Sequence, residues 1–361
     1  MKILLRLFET IRPTFEGGKL RVLKPVYEAM ENFFFAPSTT TTGAPHVRDP
    51  LDIKRLMSMV IVALLPCLAV SFYFFGLRLL AMIIISYMAG GIVEVVFAIV
   101  RKEEINEGFL VTGMLFPLIL PPTLPLWMVG VGVAFGVFAG KELFGGTGRN
   151  VFNPAIVGRC FLALAYPAAM SGNCITAGHG FGGRMLQYVT ASNIDAVSQA
   201  TPLVLAKQGT LTDLSHMFLG NISGSIGETS AIAIILGGVF LLFSRVANWR
   251  TVVGIVGSAA VAAGIFHYSD PERFAPVLWH LCAGGLLFGA FFMATDPVTS
   301  PVTNAGKWAY GVMIGVVTLL IRNFTGYVEG VMFAILLGNI VAPIFDEIVV
   351  KFRLMGLRDE K

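Results

Sequence analysis

Apolar runs of bilayer length recur from about residue 56 to residue 350, and nothing else in the chain limits its fold so sharply. A membrane-crossing helix needs about 20 consecutive, mostly apolar residues. Runs between breakers place segments near 56–75, 78–100, 109–122, 125–141, 154–171, 230–244, 251–268, 278–295, 308–323 and 329–350. Only 13% of the 361 residues are charged and 55% are hydrophobic, against roughly 25% charged in soluble domains. That leaves too little polar surface to cover a water-soluble globule. The 40 glycines suit helices that approach backbone to backbone in lipid. The expected fold class is therefore an all-α polytopic membrane protein of about ten transmembrane helices. The third segment is short and ends at Pro121-Pro122, so it and its neighbour could form one re-entrant or broken element.

Basic residues set the orientation. An even number of crossings puts both termini on one side, and the positive-inside rule assigns that side to the cytoplasm. Arg101, Lys102, Lys141, Arg149, Arg245, Arg250, Lys307 and the tail from Lys351 then fall inside, with most of the 26 Lys and Arg residues. The expected organisation is a cytoplasmic N-terminal segment (1–55), a first membrane repeat (56–171), an outer, periplasmic loop (172–229), a second repeat (230–350) and a cytoplasmic tail (351–361). Basic groups of the N-terminal segment alternate with Glu and Phe, which suits a membrane surface rather than nucleic acid. The segment lacks the features of a cleaved signal peptide, so the first span is expected to be an uncleaved anchor.

The halves resemble each other. Gly132-Val133-x-x-Gly136-Val137 before Phe144-x-Gly146 is matched by Gly311-Val312-x-x-Gly315-Val316 before Phe324-x-Gly326. Gly113-Met-Leu-Phe-Pro leading into prolines echoes Gly289-Ala-Phe-Phe-Met leading into Pro297 and Pro301. Five segments per half make the repeats inverted and put the functional centre between their interrupted helices.

Three groups of residues could carry chemistry. Gly145-Gly146-Thr147-Gly148-Arg149-Asn150 through Pro154 permits the backbone angles of an anion nest, although a tight cytoplasmic turn has the same composition. Asp195-Ala-Val-Ser198-Gln199-Ala200-Thr201-Pro202 offers a hydroxyl beside small residues and a nearby carboxylate, or is an ordinary Ser/Thr loop. Glu94, Glu142, Glu228, Asp296, Glu329 and Asp346 lie at membrane depth or its edge. An ionisable group in an apolar run is costly and marks ion or proton movement by default; Glu94, one turn after Gly90-Gly91, fits best. Asp296, before Pro297, is expected at a helix break. Interfacial solvation is the expectation for Glu142, Glu329 and Asp346, and His280 beside Trp279 reads as an interface residue. The cysteines Cys67, Cys160, Cys174 and Cys282 and the five histidines lack metal-site spacing, so no metal is expected.

Taken in order, several stretches resemble the B subunit of the sodium-translocating NADH:quinone oxidoreductase. They are Ile11-Arg-Pro-Thr-Phe-Glu-Gly-Gly-Lys19, Val26-Tyr-Glu28-Ala, His46-Val-Arg-Asp49, Asn106-Glu107-Gly108-Phe109, Pro121-Pro-Thr-Leu-Pro-Leu-Trp127, Lys141-Glu-x-Phe-Gly-Gly-Thr-Gly-Arg-Asn150, Gly220-Asn-Ile-x-Gly-Ser-Ile-Gly-Glu228, Phe292-Met-Ala-Thr-Asp-Pro-Val298 and Gly306-Lys-Trp-Ala-Tyr-Gly311. The resemblance implies FMN joined through its phosphate to Thr201, in a motif that maps to Asp195, Ser198 and Ala200; Gln199 stands where that motif usually has glycine. It implies a non-covalent riboflavin, a quinone region at Gly90, Gly91 and Glu94, and ion-pathway acids at Glu28, Glu94, Glu107, Glu228, Asp296 and Asp346. It further implies a bacterial inner-membrane location, partner subunits, a flavin transferase, ubiquinone or menaquinone, and Na+. No NADH-binding fingerprint appears, so hydride acceptance and any catalytic residues for it belong to a partner. The Ser-x-Ala-Thr-Pro-Leu form also looks like the D subunit of the Rnf ferredoxin:NAD oxidoreductase. A cofactor-free secondary transporter or channel with the same repeats is the alternative from another class.

Overall fold

A computed structural model describes residues 53–102, 108–171, 188 and 200–359, together with 10–13, 15, 24 and 27. The described chain is helical, and its one β-bridge joins Gly76 to Tyr188. Nine helices build the body: α1 Ile53–Phe75, α2 Leu77–Arg101, α3 Gly108–Leu118, α4 Leu126–Gly140, α5 Pro154–Ala165, α6 Ala231–Phe243, α7 Trp249–Ser269, α8 Asn304–Phe324 and α9 Val331–Asp359. Six of them, α1, α2, α4 (extended to Phe144), α7, α8 and α9, are long and apolar enough to cross a membrane, whereas α3, α5 and α6 are shorter.

Helix α2 shows why these elements suit lipid. Leu80, Ile84, Met88, Ile92, Val96 and Val100 form an exposed stripe at helical spacing, while Leu79, Met82, Ser86, Gly90, Glu94 and Ala98 face inward. The period of 3.6 residues sorts the chain into two faces. Here the outer face is apolar and the inner face holds the charge, the reverse of a helix in water.

Between α7 and α8 the expected span is interrupted. Helix Val277–Cys282 stops, Gly284 takes a left-handed φ of 59°, and Leu286–Phe288 runs into a π-turn at Gly289–Met293. The span expected near 154–171 breaks at Tyr166-Pro167 into α5 and the short helix Pro167–Ser171. The tail expected to begin at 351 instead continues α9, whose last turns carry a Glu347–Lys351 pair at 2.8 Å.

Packing follows the small residues. Helix α4 lies along α2 and α5, α8 along α7 and α9, and α1 along α6. At the α4–α5 crossing a side chain on Gly136 would overlap the carbonyl of Pro154. Gly315, at the α7–α8 crossing, would strike Ser258 and the carbonyl of Ile255. Overpacking of this kind costs about 1–3 kcal/mol. Gly136→Ala is therefore expected to lower the thermal unfolding midpoint in detergent. Gly326→Ala, which meets nothing within 4 Å, should leave it unchanged.

Candidate functional site

Two cavities open at opposite ends of the bundle. The one on the predicted outer side, of about 410 Å³, is lined by Thr201, Arg159, Ser223, Ser225, Glu228 and Glu329, with Pro202, Gly284 and Tyr327. Thr201 holds the N-cap position of the short helix Pro202–Lys207, with Pro202 in the first turn where its missing N–H is harmless. A capping threonine ordinarily accepts a hydrogen bond from a first-turn amide. Thr201 makes no such bond; its Oγ1 is buried and finds no partner among the described residues.

Charge around that hydroxyl is paired. Arg159, on α5, forks onto both carboxylate oxygens of Glu228 and donates to Ser225 Oγ at 3.2 Å. On the other wall Arg322, from α8, binds Glu329 Oε1 at 3.0 Å, and the Gly285 amide donates to Glu329 Oε2 at 3.1 Å. The break at Gly284-Gly285 passes between the two carboxylates. A side chain on Gly284 would stand 2.5 Å from Glu329, and one on Gly285 2.5 Å from Glu228. Ser223 Oγ is a further buried hydroxyl without a partner among the described residues.

At the opposite end, a smaller cavity of about 80 Å³ is lined by Met57, Gly108, Lys141, Thr147, Asn153 and Asp296, among others. Gly145, Gly146 and Gly148 all take left-handed φ values, as that loop's composition implies, and Asn153 caps α5 by accepting from the Ala155 amide at 3.0 Å. Asp296 follows the π-turn, at the expected helix break, and accepts from Val298 N at 3.3 Å and Thr299 Oγ1 at 3.1 Å. Beside this cavity Glu94, only 5% exposed, pairs with Lys141, and its second oxygen is buried without a partner among the described residues. Gly90 makes room for the ring of Phe109, which would stand 2.7 Å from a side chain there; Gly91 lies against the same ring.

Some expected roles change. Glu142 and Glu329 are ion-paired rather than simply solvated at the interface: Glu142 is buried against Arg101 at 2.9 Å, and Glu329, half-buried, pairs with Arg322. Asp346 accepts from Val302 N, Thr303 N and Thr303 Oγ1, so it fastens the entry to α8. His280 and Trp279 are 4% and 2% exposed, not interfacial. The Trp279 indole donates to the Thr212 carbonyl, which folds the 212 region over it. Ala200 adjoins Thr201; Asp195, Ser198, Glu28 and Glu107 lie outside the described residues. A search of the sequence for acids alone passes over Arg159, Arg322 and Lys141, although a base in or beside an apolar run carries the same signal.

A model of the NQR2, RnfD, RnfE family matches residues 40–354. The chain belongs to that family. Among its relatives, one from Klebsiella pneumoniae (strain 342) is 41% identical over 404 aligned residues that cover 96% of each chain. A relative from Yersinia pestis is 40% identical and one from Azotobacter vinelandii 39%, each across 95% of this chain and 96% of its own. In each of the three organisms the relative is the B subunit of a Na(+)-translocating NADH-quinone reductase. For this family member the buried Arg159–Glu228 pair gives a direct expectation. Removing one partner of a buried pair costs about 3–5 kcal/mol, because the other charge is stranded. Glu228→Ala should sharply reduce the amount of folded chain recovered from membranes, whereas Glu228→Asp, which keeps the negative charge beside Arg159, should recover most of it.

Proposed function

We propose that this chain is the flavin-bearing membrane subunit of a sodium-translocating NADH:quinone reductase, with FMN esterified through its phosphate to Thr201. One observation carries the reading: a buried threonine hydroxyl, free of the cap bond it would normally make, faces a cavity of about 410 Å³. That volume lies within the range of about 300–1,000 Å³ typical of small-ligand sites. Arg159 brings a cation to the wall, and Ser223 and Ser225 bring hydroxyls. When bound, a flavin exchanges one or two electrons and so links one-electron carriers to a two-electron quinone. The protein's share is to hold it: Thr201 anchors it, Arg159 and the serines meet its polar groups, and Met170, Leu203 and Met332 keep water from the apolar side. Glu228 and Glu329 keep the two arginines in place without leaving net charge in the cavity.

The resemblance also implies a riboflavin. The inner cavity supplies suitable polar groups, but at about 80 Å³ it is far below ligand-site volumes of about 300 Å³. As closed here it does not fit that ring system, and no step is assigned to it.

The packing supports two inverted five-element repeats. In each half the second element contacts the third and fourth, and the fourth contacts the fifth, while α1 meets α6 across the halves. On this reading both termini lie on the cytoplasmic face of the inner membrane, with the Thr201 cavity outside and Glu94 near the inner face. The relatives' identity favours the quinone reductase over the Rnf alternative. The test is to purify the full chain from cells that contain a flavin transferase, denature it, and look for fluorescence on the gel and an FMN adduct by mass spectrometry. A bare polypeptide overturns the flavin assignment and leaves a helical bundle of transporter type.

A further inference from the structure

A third cavity, of about 440 Å³, shares Leu203 with the Thr201 site and takes no part in the chemistry above. Its wall carries Lys207, Arg273 and Arg322, and Glu272 is the one acid among the described residues that line it. Residues with unmatched hydrogen-bonding groups line it. His280 is 4% exposed, yet neither ring nitrogen finds a partner among the described residues; Asn323 Nδ2 and Arg322 Nε are likewise buried and unpartnered among them. Each unmet buried donor costs about 1–3 kcal/mol, and folded proteins keep few of them. Several around one cationic cavity call for an acceptor-rich ligand.

The rest of Arg322 explains how the site is built. Its guanidinium donates to the His280 and Ala283 carbonyls at 2.9 Å and to Glu329 at 3.0 Å. It is fixed in place, with Nε left over. Lys207 is held by the Thr325 and Tyr327 carbonyls at 2.9 and 2.8 Å. Arg273 lies on the exposed turn after α7, against the Phe274 ring. Around the mouth Tyr268 is 91% exposed and Phe324 56%, the kind of aromatic girdle found at a membrane–water boundary. Below it Val261, Ile265 and Leu320 continue the exposed apolar surface of α7 and α8.

We propose that this cavity binds a phosphate anion, supplied by the headgroup of an anionic phospholipid in the outer leaflet, with Arg273, His280 and Asn323 as its donors. The acyl chains lie along the apolar face of α7 and α8. A basic residue at an anionic lipid surface contributes enough to shift affinity about fivefold.

The experiment uses the purified complex, stripped of lipid by detergent exchange and titrated separately with dioleoylphosphatidylglycerol, dioleoylphosphatidylcholine and inorganic phosphate. Native mass spectrometry and the thermal midpoint are the readouts. One phosphatidylglycerol should bind per chain, about fivefold more weakly in Arg273→Ala, near normally in Arg273→Lys, and in clear preference to phosphatidylcholine. His280→Leu should weaken it as well; Arg273→Ala, on an exposed turn, keeps the test sound if the buried variant fails to fold. Binding of inorganic phosphate with the same sensitivity to Arg273, but no lipid, supports the anion site with a soluble source. Binding of none of the three, or lipid binding indifferent to Arg273→Ala, overturns the proposal.

Discussion

Thr201→Val is expected to remove covalent flavin from the chain completely while leaving the protein folded. Valine matches threonine in shape, and the hydroxyl it deletes makes no hydrogen bond among the described residues, so the short helix Pro202–Lys207 loses no cap interaction. An ordinary N-cap threonine would cost about 1 kcal/mol on truncation; here that penalty is absent, and removing an unmet buried hydroxyl is neutral or mildly stabilising. In-gel fluorescence and intact mass should therefore change from fully modified to unmodified at unchanged yield and thermal midpoint. Thr201→Ser keeps a hydroxyl at the same place and should retain part of the adduct. Fluorescence that persists in Thr201→Val would move the attachment to another residue. A variant that lost flavin only because it failed to fold would show itself in the midpoint, so the chemical and structural outcomes separate.

How legible this was in the sequence depends on the range of each interaction. Helices α1, α2, α7 and α8 follow from run length alone, because lipid imposes one requirement on every exposed position. The Gly145–Gly148 loop was legible for a local reason: its left-handed angles are open to glycine at little cost. Helix α9 outruns its apolar stretch, since counting hydrophobic residues stops at Val350 while the Glu347–Lys351 pair supports the helix beyond it. The interruption at Gly284-Gly285 was less accessible. It exists because Glu228 and Glu329 approach the backbone from separate elements, a contact that no run of neighbouring residues reveals. The same holds for His280, buried once the 212 region folds over Trp279, and for Arg159, whose partner lies 69 positions away. Thr201 stands out by its motif, but its unmatched hydroxyl and the cavity before it are properties of the fold.

The second large effect is expected at Glu94. This carboxylate and Lys141 are each about 5% exposed at the side chain, and the neighbouring Glu142 is held by Arg101, so the local charges form a chain from α2 to the end of α4. A buried pair is a poor source of stability, since desolvation of both ions offsets most of their attraction. On the proposed function the pair instead serves the ion path. Among the described residues Glu94 keeps one oxygen buried without a partner; on the proposed function it is an acceptor for a cation, and Lys141 is the competitor that a passing Na+ would have to displace. Moving one cation outward against 100 mV requires about 2.3 kcal/mol, so a site that releases its ion has to change its affinity by at least that amount. Glu94→Gln preserves shape and an oxygen acceptor but removes the charge. Stranding the Lys141 ammonium costs about 3–5 kcal/mol, and Glu94→Gln/Lys141→Gln avoids that cost. The expected result is a double variant that accumulates like the natural chain, keeps its flavin, and has lost sodium stimulation of quinone reduction. Measured as a double-mutant cycle, the two positions should couple in stability by about 3–5 kcal/mol, because the stranding cost appears in the single variant and cancels in the double, whereas the sodium response should already be lost in Glu94→Gln alone. Sodium stimulation of natural size in both variants would remove Glu94 from the ion path and leave the pair with a structural role.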